Sequence, residues 1–177
     1  MYDHRYIRGV LPHRHPILLV DQVEEISYFD RVVAVKAVTG SEPAYARLPD
    51  DSPPSHYAYP RSLMIESFGQ SGAFLWMESI RAAGQELPGT LIFAVARDVT
   101  YHRNAYPGDT LRHIARMERV VGPNAFLNGQ IWVGGELAVE IGSVIATARE
   151  ASALGEESPS AGPRLATTGN THLEELS

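Results

Sequence analysis

Two carboxylates, Glu66 and Glu78, interrupt an otherwise apolar run from Ser62 to Ala83 that carries Leu63, Met64, Ile65, Phe68, Phe74, Leu75, Trp76, Met77 and Ile80. A carboxyl group in such surroundings is costly unless it is paired, hydrogen-bonded or put to use. Apolar burial also raises the pKa of a carboxyl group toward the range that suits a general acid or base. Gln70 follows Glu66 by one helical turn, where its amide can meet the carboxyl group or a water beside it. A structural reading of Glu66 stands alongside: a carboxylate close to a helix N-terminus favours the helix dipole. His13 and His15 flank Arg14 in PHRHP, and an extended backbone would put both on one face. The other histidines, His4, His56, His102, His113 and His172, form no i, i+4 pair and no cluster with carboxylates, so no metal site is expected. The chain has no cysteine, which removes thiolate catalysis, disulfides and thiolate-bound metals. No G-x-S-x-G, P-loop or dinucleotide-binding glycine pattern is present, and no cofactor is expected.

The elements that must position these groups follow from periodicity. Ser62–Ala83, entered after Pro60, is apolar around most of its circumference and so predicts a helix enclosed by the rest of the domain. Its small residues Ser67, Gly69, Ser71, Gly72 and Ala73 would let sheet backbone approach closely. Strands are predicted over Arg31–Val38, Leu91–Val99, Leu111–Val121, Ala125–Val133 and Glu136–Ala148. Gly122-Pro123-Asn124 and Gly134-Gly135 separate the last three, which points to an antiparallel meander. In the last strand Leu137, Val139, Ile141 and Ile145 are expected on one face. The result is an α+β domain, a sheet curled around one central helix.

With 177 residues, 44% apolar and 20% charged, one globular domain over 1–149 is expected. Residues 150–177 are rich in Ser, Gly, Ala, Thr and Glu without periodicity, which predicts a disordered tail. No apolar run long enough to span a membrane and no apolar segment behind the N-terminal charges is found, so a cytoplasmic protein without a membrane partner is expected. The net charge of −6 argues against nucleic acid, although all but one of the 15 basic residues are Arg, Lys36 being the exception. A local Arg patch could therefore dock an acidic partner.

LPHRHPILLVD (Leu11–Asp21) resembles the N-terminal signature of the FabZ-type 3-hydroxyacyl-acyl-carrier-protein dehydratases. AVKAV (Ala34–Val38), Glu42-Pro43, YPRSLMIESFGQSGAF (Tyr59–Phe74) and DVTYHRNAYPGDTL (Asp98–Leu111) follow in the order and spacing of that family. The resemblance implies a hot-dog fold, an antiparallel sheet wrapped around a long helix, dimerising with active sites between protomers. It implies no cofactor, an acyl carrier protein delivering a 3-hydroxyacyl thioester, and elimination of water by the helix Glu of one protomer and a His of the other. Glu66 and Gln70 match the family's Glu and Gln. Arg103, Arg112, Arg116 and Arg119 are candidate docking residues for the acidic carrier.

The resemblance breaks just before the helix. The family's catalytic His falls at Ser52 when counted from Glu66 and at Leu48 when counted from Glu42-Pro43, so a four-residue insertion is inferred between Pro43 and Pro60. His56 is the histidine of this loop; it either takes over the vacated position or is an ordinary loop residue. Arg61 stands where the family has the Gly after the helix-leading Pro, and Arg61 and Ser62 are candidate substrate-binding residues at the mouth. Three arrangements follow: a heterodimer in which a second hot-dog subunit supplies the His, in fatty-acid or polyketide-type biosynthesis; a self-sufficient homodimer using Glu66, Gln70 and His56; or a non-catalytic subunit that binds an acyl chain. A thioesterase on the same fold is a further alternative.

Overall fold

A computed structural model describes residues 1–87 and 89–149; the tail expected over 150–177 lies outside the described residues. The chain forms helix α1 (His4–Val10), strands β1 (Gln22–Ser27) and β2 (Arg31–Ala37), helix α2 (Arg61–Ala82), and strands β3 (Thr90–Tyr101), β4 (Thr110–Val121), β5 (Asn124–Val133) and β6 (Glu136–Arg149). All six strands join one antiparallel sheet in the order β1-β2-β4-β5-β6-β3. The sheet wraps around α2, which is the expected α+β, hot-dog architecture. Because α2 links β2 to β3, the chain leaves the meander side of the sheet and returns at its far edge, which leaves one side of β3 without a partner strand among the described residues.

The ends of α2 are set by local chemistry. Pro60 precedes the first turn, and its carbonyl accepts from the Leu63 and Met64 amides at 2.9 and 3.1 Å. At the other end Gly84 takes a φ of +69°, with Gly84 N–H donating to the Arg81 carbonyl and Gln85 N–H to the Ile80 carbonyl. This paired closure needs a left-handed residue, which glycine adopts without steric cost. Along the helix Met64, Phe68, Phe74, Leu75 and Trp76 are fully enclosed. The small residues receive side chains, not the sheet backbone expected from the sequence: a Cβ at Gly69 would lie 2.6 Å from the Phe93 ring, and one at Gly72 would lie 2.9 Å from Leu127.

The meander is as expected, with Gly134 and Gly135 both at positive φ in the two-residue turn between β5 and β6. The face assigned to β6 needs correction. Val139 and Ile141 point inward, but an extra residue on β6 opposite β5 between Ile141 and Val144 passes the inward face to Val144, Ala146 and Ala148. Ile145 thus leaves the Val139 face, because a bulge shifts side-chain parity by one. Helix α1 and strand β1 were not expected. Helix α1 has seven residues and one buried side chain, Ile7, and β1 carries Glu24 and Glu25 beside each other, so neither shows a sustained period.

His113 on β4 faces the core with both ring nitrogens unpartnered and its ring edge-on to Phe68. Burial first, and the Lys36 charge second, hold its imidazole neutral, pushed down to about 3. An unfolded chain protonates this ring near pH ~6.5, so between ~6.5 and ~3 the unfolded state holds the extra proton and stability falls as pH falls. His113→Leu, of similar bulk, is expected to flatten that loss, which approaches roughly 1.4 kcal/mol per pH unit for one such group. Urea unfolding at pH 7 and pH 5 measures the difference.

Candidate active site

Several residues of LPHRHPILLVD hold the segment in place. Leu11, Leu19 and Val20 enter the core. Arg14 donates to the carbonyls of Leu11 and His13 at 2.8 and 2.6 Å, and Asp21 accepts from the Ala37 amide at 2.7 Å. The segment is thereby held as an ordered loop along α2. The His15–Pro16 bond in it is cis.

Gln70, almost fully buried, joins this loop to the helix carboxylate. Its Oε1 accepts from Leu19 N–H at 2.9 Å, while its Nε2 donates to the Ile17 carbonyl at 2.6 Å and to Glu66 Oε1 at 2.8 Å. The two backbone partners fix which way the amide faces, so a donor is always presented to Glu66. Glu66 and Gln70 therefore meet as their spacing predicts.

Glu66 is half-buried, its side chain 31% exposed, and not engulfed as the apolar run implied. The buried carboxylate of α2 is Glu78, which accepts from the Tyr6 hydroxyl at 2.9 Å and lies 3.4 Å from the Arg81 guanidinium. Glu78 is matched by its neighbours and needs no other role. Glu66 instead borders a cavity of about 300 Å³ together with His13 and Gln70, facing an apolar wall of Leu91, Ile92 and Phe93 on β3. His13 Nε2 lies 3.6 Å from Glu66 Oε1. A wider cleft of about 520 Å³ continues past Leu91, between the loop at Val10 to Arg14 and the C-terminal end of α2 at Met77 to Arg81.

The other expected site residues are not brought to this cavity within the chain. His56 is exposed on a short 3-10 turn, Pro54–Tyr57, and forms no hydrogen bond or ion pair with Glu66. Arg61 and Ser62 are exposed at the start of α2; the Arg61 guanidinium stacks on the Tyr101 ring at 4.6 Å and reaches Asn104 at 3.4 Å. Of the candidate docking arginines, Arg103 pairs with Glu136 at 2.8 Å and Arg112 with Glu24 at 2.9 Å, while Arg119 lies over Phe126. The site residue that the sequence left unused is His13. Its spacing relates it only to His15, because a contact with Glu66, so far along the chain, leaves no local pattern. Among the described residues no group of three or more His, Asp or Glu side chains is placed to hold a metal ion.

A carboxylate oriented by a fixed amide, opening on a largely apolar cavity, defines the class as a hot-dog-fold protein whose site is able to carry acid–base chemistry. The FabA-like domain matches residues 11–142, and the chain belongs to that family. It is 31% identical over 138 residues to the 3-hydroxyacyl-[acyl-carrier-protein] dehydratase FabZ of Staphylococcus aureus, covering 78% of this chain and 89% of that protein. In fold it is similar to the dehydratase heterocomplex ApeI:P from Xenorhabdus doucetiae (TM-score 0.69, 17% identity, 84% of this chain and 93% of that one). It is also similar to TTHA0967 of Thermus thermophilus, a thioesterase superfamily member (TM-score 0.54, 18% identity, 75% of this chain and 90% of that one).

Replacing Gln70 tests the bridge. Gln70→Leu leaves Leu19 N–H and the Ile17 carbonyl without their partner, at about 1–3 kcal/mol for a buried polar group left unmatched. Gln70→Glu keeps an acceptor for Leu19 but sets negative charge against the Ile17 carbonyl and Glu66, and is expected to be at least as destabilising. Chemical denaturation of the two variants reads both.

Proposed function

We propose that this chain is a subunit of a 3-hydroxyacyl-thioester dehydratase that supplies Glu66, oriented by Gln70, to a site completed by a histidine from a second hot-dog subunit. The observation that carries this reading is the oriented carboxylate on an apolar cavity, with the histidine of the enlarged loop facing solvent instead. The open side of β3 supports a partner. Among the described residues no strand pairs with its outer edge, Phe93 is 37% exposed, and the cavity wall is formed by this same strand. A neighbouring subunit paired there would sit close enough to add side chains to the cavity. That the dehydratase of Xenorhabdus doucetiae sharing this fold is a heterocomplex agrees with two unlike subunits.

In the reaction a base removes the proton on the carbon next to the thioester carbonyl, an acid protonates the hydroxyl on the following carbon, and water leaves as the double bond forms. The apolar cavity receives the acyl chain, and an acyl carrier protein in fatty-acid or polyketide-type biosynthesis delivers it. Residues 1–149 form the catalytic domain in this reading, without a cofactor. A homodimer is the second reading: His56, exposed on its turn, is free to approach the Glu66 of another copy.

Co-expression with a candidate second hot-dog chain and assay of 3-hydroxyacyl-thioester dehydration tests the proposal. Glu66→Gln is expected to lower activity by about 100-fold or more with assembly intact, the usual worth of a positioned acid or base. Unchanged activity would mean a non-catalytic subunit. Activity of this chain alone, abolished by His56→Ala, would replace the heterodimer with the homodimer.

A further inference from the structure

His13 contacts the carboxylate that the proposed reaction uses, and its environment determines which form of the ring fits there. Glu66 Oε1 already accepts from Gln70 Nε2, whose orientation is locked by Leu19 and Ile17. A proton on Glu66 is therefore confined to Oε2. On the other side of Oε1, His13 presents Nε2, while its Nδ1 is enclosed with no hydrogen-bond partner among the described residues. A proton on Nδ1 would be a buried donor with nothing to meet, whereas a proton on Nε2 faces a carboxylate oxygen. The tautomer that fits carries its proton on Nε2, and its one reachable nitrogen is then a donor, not a base.

We infer that His13 is a positioning residue, a fixed N–H donor that with Gln70 holds Glu66 Oε1 and leaves Oε2 as the oxygen that exchanges protons with substrate. His13 does not replace the histidine missing from the enlarged loop. No proton leaves it during the cycle. The 3.6 Å separation is about half an ångström beyond an ordinary hydrogen bond, and such contacts commonly tighten when substrate fills the site. The signature loop thus holds Glu66 twice, through its backbone by way of Gln70 and through the His13 side chain.

The inference rests on Glu66 being the reacting carboxylate of the proposed dehydratase, and two measurements separate the two claims. On the complex assembled from full chains, with a 3-hydroxyacyl N-acetylcysteamine thioester as probe, His13→Leu is expected to lower kcat roughly 10- to 100-fold, the worth of one hydrogen bond to a charged group, with KM little changed. His13→Gln, whose amide nitrogen can take the place of Nε2, should restore most of that loss. Equal loss in both variants would mean that His13 itself transfers protons, and no loss in either would mean that it does not act on Glu66; both results overturn the inference. Nitrogen-15 resonances of the His13 ring in the unaltered protein should show a proton on Nε2. A ring protonated on Nδ1 alone would overturn it whatever the activity. A complex that shows the expected ring form but dehydrates no 3-hydroxyacyl thioester would overturn the dehydratase reading and leave the positioning contact standing.

Discussion

The Gln70 amide has three polar partners inside the fold, and flipping it would lose all of them. Two are backbone groups of the loop at Ile17 and Leu19, fixed in turn by Leu19 and Val20 in the core and by Asp21 bound to the Ala37 amide. The third is the Glu66 carboxylate. A primary amide in a dry environment loses about 1–3 kcal/mol for each group it leaves unmatched, so loop, helix face and carboxylate are set together. The enclosure of α2 by the sheet, the ring of Phe93 seated over Gly69 and Leu127 over Gly72 all bring this helix face to this loop at the required distance.

The two carboxylates of α2 show how position within one helix separates a group matched inside the protein from one left open. Glu78 meets Tyr6 from α1 and Arg81 one turn on, and its lone pairs are occupied by groups of the protein. Glu66 has its Oε1 occupied and opens on a cavity with an apolar far wall. Differential treatment of the two oxygens of one carboxyl group gives a proton a single place to arrive and leave, which is what a general acid or base requires.

The loop before α2 is tethered at both ends. At its start Glu42 is ion-paired with buried Lys36, whose ammonium also lies over the Tyr59 ring, and at its end the Tyr59 amide donates to the Ala105 carbonyl. Between these two fixed ends the chain loops outward, and His56 is carried on an exposed turn. The family match runs through this loop as well as through the signature segment, the helix and the meander.

The elements legible in the sequence were those whose period is long and uninterrupted: α2, the β4 to β6 meander with its glycine turns, and β2 and β3 to within a few residues at each end. The Glu66–Gln70 pair was legible for the same reason, since one helical turn places the two together whatever surrounds them. Helix α1 and β1 were hidden, one by shortness and the other by adjacent carboxylates, because each owes its form to neighbours and not to its own pattern. The change of inward face in β6 was hidden because a bulge is a property of two paired strands. By itself, then, the sequence determined the helix, the meander and the carboxylate with its amide, all products of short-range periodicity. Only the tertiary structure decided that Glu66 opens on a cavity while Glu78 is matched, that Gln70 is locked by loop backbone, and that His13 lies beside Glu66, because these depend on groups more than fifty residues apart meeting across a packed core.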